Sequence, residues 1–415
     1  MSLETTRLRL GFIPLSDAAP LIVAKQQGFF AAEGLDVDLV REASWANVRD
    51  RVAAGLLDGA HMLGPMAVAQ ALGIGSDPVA ITVPLALNLN GSAITVSTAV
   101  ADALRELDPE GMRRRPRTAA ALGRLIERRR AKGLAPLTFA VVFPYSIHNY
   151  ELRYWLAAAG IHADRDIRLT VVPPPRMVEK LAAGEIDGFC VGAPWNTWAV
   201  KQGLGEILLY ASEWWGATPD KVFGLTRAWA ERHPDTLRAA LRALLRAGRW
   251  ADAPENRGAL ATLLARPEHV GSPEDVVRMS LTGSPPLIQG DPVSDSHDYL
   301  VFHRYAASFP WRSHAIWFLT QMVRWGQAPR SADFAAAADV YRPDLYRAAA
   351  ADIGDPSPEA DFKTEGLHAA PWTLEDASSP IPMAADAFLD GAVFDPDAPL
   401  GYVDAFAVSR VAASR

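Results

Sequence analysis

Trp45, His61, the turn Asn88-Leu89-Asn90-Gly91, His148, Pro194 with Trp195, and Lys221 are the residues whose types could do chemistry together. Imidazole, amide and ammonium groups donate hydrogen bonds, indole rings form dry walls, and carboxylates are scarce in this set. Such a set suits a small anion, which backbone N–H groups at helix starts would also help to hold. Enzyme signatures are absent: the chain has no phosphate-binding glycine loop, no dinucleotide fingerprint, no G-x-S-x-G and no H-E-x-x-H. Its nine histidines are scattered, without partners at metal-ligand spacing. Plainer readings stand beside these. Trp45 could be a core aromatic at a helix start, His61 a satisfied buried histidine, His148 a helix cap and Lys221 a surface lysine. Trp195 and the aromatics from Phe309 to Trp325 read as packing, and Cys190, the one cysteine, as inert core rather than a nucleophile.

The elements that must carry these residues follow from a segment that the chain nearly says twice. Val52-Ala53-Ala54-Gly55-Leu56-Leu57-Asp58-Gly59 returns as Leu181-Ala182-Ala183-Gly184-Glu185-Ile186-Asp187-Gly188, and Pro65 answers Pro194 at the same offset. Each copy reads as a helix, a glycine stop, a short apolar strand and a proline-started helix. His61 and Cys190 occupy equivalent places in the two strands. Strands at 8–14, 35–40 and 60–63, with helices between them, imply a parallel sheet with right-handed crossovers. Further strands are expected at 79–87 and 92–97, then at 137–143 and 167–172. The run from Ile207 to Tyr210 is expected to cross back to the first unit. The resulting division is residues 1–97 for lobe 1, 98–210 for lobe 2, and 211–415 for the return to lobe 1 and a helical wrap. The segment after about Asp352 reads as irregular. The loops at the carboxyl ends of such strands are where open α/β sheets bind ligands.

Composition narrows the class. With 49% hydrophobic and 21% charged residues the chain is ordinary for a globular protein, and a net charge of −7 argues against nucleic acid as its main partner. Arg113, Arg114, Arg115, Arg117, Arg124, Arg128, Arg129, Arg130 and Lys132 form a basic stretch without interleaved aromatics, which reads as a solvated face around a stripe of Leu122, Leu125 and Ile126. No run of apolar residues is long enough to span a membrane. Met1-Ser2-Leu3-Glu4 leads almost directly into the first strand without a signal-peptide pattern, so a cytoplasmic location is expected, or a periplasmic one if the sequence was trimmed.

Several stretches resemble one family: Gly11-Phe12-Ile13-Pro14-Leu15-Ser16-Asp17-Ala18-Ala19-Pro20, Ala43-Ser44-Trp45, Ala60-His61-Met62, His148-Asn149, Val172-Pro173-Pro174-Pro175, Cys190-Val191-Gly192-Ala193-Pro194-Trp195, Asp220-Lys221-Val222 and Pro310-Trp311-Arg312-Ser313-His314. The chain is similar to the nitrate-binding proteins of ABC-type nitrate/nitrite importers and to the related bicarbonate-binding proteins. That resemblance implies a type II periplasmic-binding-protein fold, α/β, with two lobes around a ligand cleft. Carried over by position, it implies Trp45, His148 and Lys221 as ligand contacts, with Ser92 where the importers' proteins place a glutamine; together with His61, Asn90, Pro173 and Val191 these are the residues expected to bind the ligand. Lys221 stands where the bicarbonate proteins carry an acidic residue tied to calcium, so nitrate or nitrite without a metal or other cofactor is expected. Ala193 departs from the family's usual glutamate. The cytoplasmic expectation points to a sensor branch that regulates nitrate assimilation by holding and releasing an ANTAR-type RNA-binding antiterminator. The alternatives are the substrate-binding component of an importer and an enzyme similar to those of thiamine-pyrimidine synthesis, against which the lack of a cysteine-rich or paired-histidine motif argues.

Overall fold

The structure is a computed structural model that describes residues 3–294 and 298–409. Met1, Ser2 and residues 410–415 of the expected wrap lie outside the described residues.

In chain order the first strands are β1 (Arg7–Phe12), β2 (Asp36–Arg41), β3 (Gly59–Leu63), β4 (Ile81–Ala86), the short β5 (Leu89–Asn90), β6 (Ser92–Ser97), β7 (Thr138–Val141), β8 (Arg168–Val171), β9 (Gly188–Gly192), β10 (Gly205–Tyr210) and β11 (Lys221–Thr226). The first sheet runs β2-β1-β3-β11-β4 and the second β8-β7-β9-β6-β10, with β5 outside both. In each, two flanking strands pair in parallel with their neighbour, and the fourth strand in the order joins antiparallel. The internal repeat is thus a repeat of sheet halves. Its central strands, β3 and β9, are buried throughout, as strands covered on both faces must be. Gly55 and Gly184 share a φ of 67°, the left-handed turn that ends each preceding helix.

Two expectations on the chain's route are corrected. Ser92–Ser97, expected within lobe 1, pairs with β9 and β10 of the second sheet. Ile207–Tyr210, expected to cross back, lies in β10 on that sheet's edge; the return comes only at β11. An apolar run shows that a strand is buried, not which sheet accepts it. Part of the basic stretch supplies the missing reason. Arg117 is buried rather than solvated, and its guanidinium donates to Glu206 Oε1 at 2.8 Å and to the Ile207 carbonyl at 2.9 Å. Arg115 reaches the Leu208 carbonyl at 3.0 Å. These arginines hold β10 to the second lobe.

The site is positioned by α1 (Ala19–Gln26), α2 (Trp45–Ala53), α3 (Gly64–Ala71), α4 (Ile147–Ala158), α5 (Trp195–Lys201), the long amphipathic α6 (Pro234–Asp252), which packs on α1, and α7 (Arg312–Arg324). No helix among the described residues is long and apolar enough to cross a membrane.

The chain passes between the sheets twice, through residues 87–91 and 211–220. The two passages are tied together. Asn90 N–H donates to the Thr218 carbonyl at 2.8 Å, and Leu87 N–H to the Lys221 carbonyl at 2.8 Å. Trp215, fully buried in the second passage, stacks on Phe388 at 4.6 Å and meets Trp317 of α7 at 4.9 Å between ring centroids. Aromatic packing therefore fastens the C-terminal segment onto the passage. Trp215→Ala should lower stability by about 3–5 kcal/mol, the range for deleting a buried aromatic, seen as a lower midpoint of urea unfolding.

Candidate functional site

Between the sheets, side chains from both lobes converge on one ammonium. Lys221 is the first residue of β11 and is wholly buried. Its Nζ pairs with Asp17 Oδ2 at 2.9 Å and also with Asp220 Oδ2. Asp17 belongs to a single 3-10 turn, Ser16–Ala18, that leads into α1. Its other oxygen stands 2.8 Å from His61 Nε2, and His61 Nδ1 accepts from Ile13 N–H at 3.4 Å. Trp45 opens α2 behind the cap formed by Ser44, its ring 5.2 Å from His61 and 5.7 Å from the ammonium. From the second lobe, His148 in the first turn of α4 brings Nε2 to 3.8 Å from Asp220 Oδ2.

The lobes touch here. Ser16 N–H donates to the Ala193 carbonyl at 2.9 Å, and Trp195 Nε1 to the Pro14 carbonyl at 3.3 Å. Gly192 permits the approach: a Cβ at that position would stand 3.0 Å from Asp17 Oδ2 and 3.6 Å from His148 Nε2.

Burial and charge set the protonation states. Burial pushes the Asp17 carboxyl up, but the Lys221 ammonium and His61 outweigh it and hold the acid below the ordinary carboxylate range. Asp220 shares the same ammonium but has less help. Burial wins there, Asp17 adds repulsion, and its pKa rises to about 7. Two carboxylates on one cation divide the roles, one ionised and one close to keeping its proton. Burial lowers Lys221, yet the two carboxylates raise it further. Burial also lowers His61 and His148, the latter well below the usual imidazole range, so both are neutral near pH 7.

A second carboxylate group lies alongside. Glu151 follows His148 by three residues on the same face of α4, and its Oε2 accepts from Ser92 Oγ at 2.6 Å and from Cys190 Sγ at 3.4 Å. These bonds favour ionisation, but complete burial prevails and lifts Glu151 to about 8. Burial, with Glu151 next to it, also pushes the Cys190 thiol well up, which makes it a poor nucleophile.

Trp45, His61, His148 and Lys221, anticipated from the sequence, thus come together. Ser92 lies one step away, committed to Glu151. Asn90 does not face the ammonium: its amide donates to the Gly216 and Asp298 carbonyls at 3.2 and 2.9 Å and accepts from Thr218 N–H at 3.0 Å. With φ at 61°, it takes a left-handed conformation that asparagine tolerates. The carbonyl of Val191 is taken by Asn196 at 2.6 Å, and the β9 residues that reach the clustered side chains are Cys190 and Gly192. Pro173, half-buried, starts a turn after β8 and accepts from Arg176 N–H at 2.9 Å. The expectation that carboxylates are scarce at this site is overturned by Asp17, Asp220 and Glu151. Their signals were present but mute: Asp17 precedes α1, Asp220 adjoins Lys221, and Glu151 lies one helical turn from His148.

Buried polar atoms here lack hydrogen-bond partners in the protein: Trp45 Nε1, both ring nitrogens of His148, Asp220 Oδ1 and Glu151 Oε1. Buried groups of this kind normally find partners, so the set can take a small polar ligand. Among the described residues no group of three or more His, Cys, Asp or Glu has the geometry to hold a metal ion.

Comparison with known proteins bears on this arrangement. The sequence pattern of the NMT1-like family matches residues 2–265. The nitrate/nitrite binding protein NrtA of Nostoc sp. PCC 7120 is 33% identical over 417 residues, covering 98% of this chain and 87% of that protein. The nitrate import ATP-binding protein NrtC of Synechocystis sp. PCC 6803 is 35% identical over 98% of this chain, which spans 56% of that relative's length. The crystal structure of the periplasmic nitrate-binding protein NrtA from Synechocystis PCC 6803 superimposes with a TM-score of 0.86 at 31% identity, over 98% of this chain and 100% of that one. The architecture is thus the expected two-lobed periplasmic-binding-protein fold.

The raised Glu151 has a consequence for stability. The folded protein keeps this proton up to about pH 8, whereas an exposed glutamate releases it near 4.5. The unfolded chain therefore binds fewer protons in that window, and stability falls as pH rises through it. Glu151→Gln should remove this decline, so that its thermal midpoint changes less than that of the wild type between pH 5.5 and pH 8.

Proposed function

We infer the role of this chain from its family: it belongs to the NMT1-like family, among the relatives of the NrtA nitrate-binding proteins. We propose that it binds nitrate or nitrite between its lobes and serves as the substrate-binding component of an ABC-type importer. The observation that carries this reading is the Lys221 ammonium, buried between the sheets beside the unpartnered donors of His148 and Trp45.

Nitrate is a planar monoanion, ionised at any biological pH, and a weak acceptor. It needs several directed donors and a dry wall rather than one strong contact. Charge-assisted hydrogen bonds contribute about 1.5–3 kcal/mol each. Three or four, less the cost of association, are compatible with micromolar affinity, about −8 kcal/mol. In this account Lys221 supplies the charge, His148 a directed N–H, and Trp45 both a ring face and an indole N–H. The two sheets are taken as the lobes that close on the ligand, with residues 87–91 and 211–220 as the hinge. Asn90 then serves as a hinge tie rather than a ligand contact.

The relatives support the importer reading over a cytoplasmic sensor. One is a periplasmic binding protein and another an import ATP-binding protein. An ANTAR-type antiterminator partner and a cytoplasmic location gain no support from them. That the similar proteins are named as binding proteins supports a binding role over an enzymatic one.

Calorimetric titration of the dialysed protein with nitrate, nitrite, bicarbonate and chloride tests the proposal. Saturable binding of nitrate or nitrite is expected. It should weaken at least tenfold in Lys221→Met, a variant that keeps the side-chain bulk, with its folding checked by circular dichroism. A folded Lys221→Met that binds nitrate as well as the wild type would rule this site out.

A further inference from the structure

The charges around Lys221 do not balance once an anion joins them. One ammonium already serves two carboxylates, Asp17 at 2.9 Å and Asp220 in direct contact. A monoanion that touches Lys221 and His148 must lie against Asp220 as well, because Asp220 Oδ2 contacts the first and is 3.8 Å from the second. Three negative charges would then share one positive charge in a site closed to water. A buried charge without a partner is costly, and groups so placed neutralise instead.

We propose that the anion binds together with one proton, taken up by the Asp220–His148 pair, so that affinity falls as pH rises. This rests on the nitrate reading above and deepens it.

Geometry selects the pair. Asp17 uses both oxygens, one on Lys221 and one on His61 at 2.8 Å, so a proton there would break a contact. Asp220 Oδ1 has no partner, and neither ring nitrogen of His148 has a hydrogen bond, so a proton on either breaks no hydrogen bond. Near neutral pH the neighbouring groups do not compete. Lys221 holds its proton more firmly than an exposed lysine because of the two carboxylates. Glu151 on α4, lifted to about 8, already carries its proton near neutrality. The Cys190 thiol on β9 and the Tyr299 hydroxyl are both pushed up by burial and stay neutral. Tyr341, whose hydroxyl lies beside Gly64 as the Asp220 carbonyl does, is likewise neutral. Asp220 itself, raised to about 7 before any anion arrives, is the acid closest to gaining a proton. An added negative charge can only raise it further.

The sign follows. A pair whose pKa is higher with ligand than without takes up a proton on binding. Affinity is greatest below the free pKa of about 7 and weakens as pH rises past it. Nitrate does not titrate in this range, so any dependence belongs to the protein.

The test is nitrate titration of the wild-type protein from pH 6 to pH 9 at constant ionic strength, repeated at pH 8 in two buffers of different ionisation enthalpy. The Kd should rise about tenfold per pH unit above pH 7 for a single linked proton. The difference between buffers should correspond to uptake of about one proton. Asp220→Asn should bind with a Kd nearly flat across this range and with no buffer dependence, whereas Glu151→Gln should keep both effects. A wild-type Kd that is flat from pH 6 to pH 9, with equal heats in the two buffers, would overturn this inference and leave nitrate binding intact. Failure of the folded wild type to bind nitrate even at pH 6 would overturn the nitrate reading, and this inference with it. Should Asp220→Asn not fold, the buffer pair on Glu151→Gln, which lacks the other acid titrating near pH 8, decides.

Discussion

A single buried ammonium shared by two carboxylates is the interaction on which the rest of this structure depends. Removing charges from water is expensive unless each finds partners, so the fold must deliver Asp17, Asp220 and Lys221 to one point with little tolerance. It does so through short, constrained segments. Asp17 is fixed in the turn before α1, and Lys221 in the first position of β11, where its N–H donates to Asn88 Oδ1 at 3.2 Å. Because Asn88 and Asn90 belong to the first passage between the sheets and Lys221 closes the second, the charge centre and the two passages form one assembly. A shift of one lobe against the other would move the ammonium relative to His148, which belongs to the opposite lobe.

The internal repeat supplies a pair of equivalent scaffolds that carry different chemistry. The third residue of β3 is His61, and the third of β9 is Cys190. Each backs a carboxylate of its own lobe: His61 stands 2.8 Å from Asp17, and Cys190 lies 3.4 Å from Glu151. The outcomes diverge because the surroundings differ. Asp17 has the ammonium and stays ionised, whereas Glu151 has only a hydroxyl and a thiol and keeps its proton near neutral pH. One lobe therefore offers a fixed charge, and the other offers neutral groups that donate or accept.

Much of this could be read from the sequence. The repeat Val52–Gly59 and Leu181–Gly188 gave the two sheet halves, because a helix, a glycine stop and a short apolar strand are local patterns. Trp45, His61, His148 and Lys221 were found as donors at strand ends and helix starts. What local pattern could not show was pairing in space. Nothing in Ser92–Ser97 or Ile207–Tyr210 says which sheet will accept it, and both join the second. In sequence Arg117 is no different from its solvated neighbours; Glu206 beneath it makes the difference. Asp17 and Asp220 lie far apart in the chain and meet only through Lys221, so no local pattern marks them as a pair. Asn90, expected among the ligand contacts, has a left-handed backbone and an amide committed to other carbonyls and to Thr218, which make it a tie between the passages.

The central claim is that the anion is held between the lobes at Lys221. The most direct test is a crystal structure of the protein grown with nitrate near pH 6. The account predicts a planar anion within hydrogen-bond distance of Lys221 Nζ and His148, against the Trp45 ring, with Asp17 still paired to the ammonium. Nitrate ordered elsewhere, with the Lys221–Asp17–Asp220 contacts intact and no anion beside them, would contradict it.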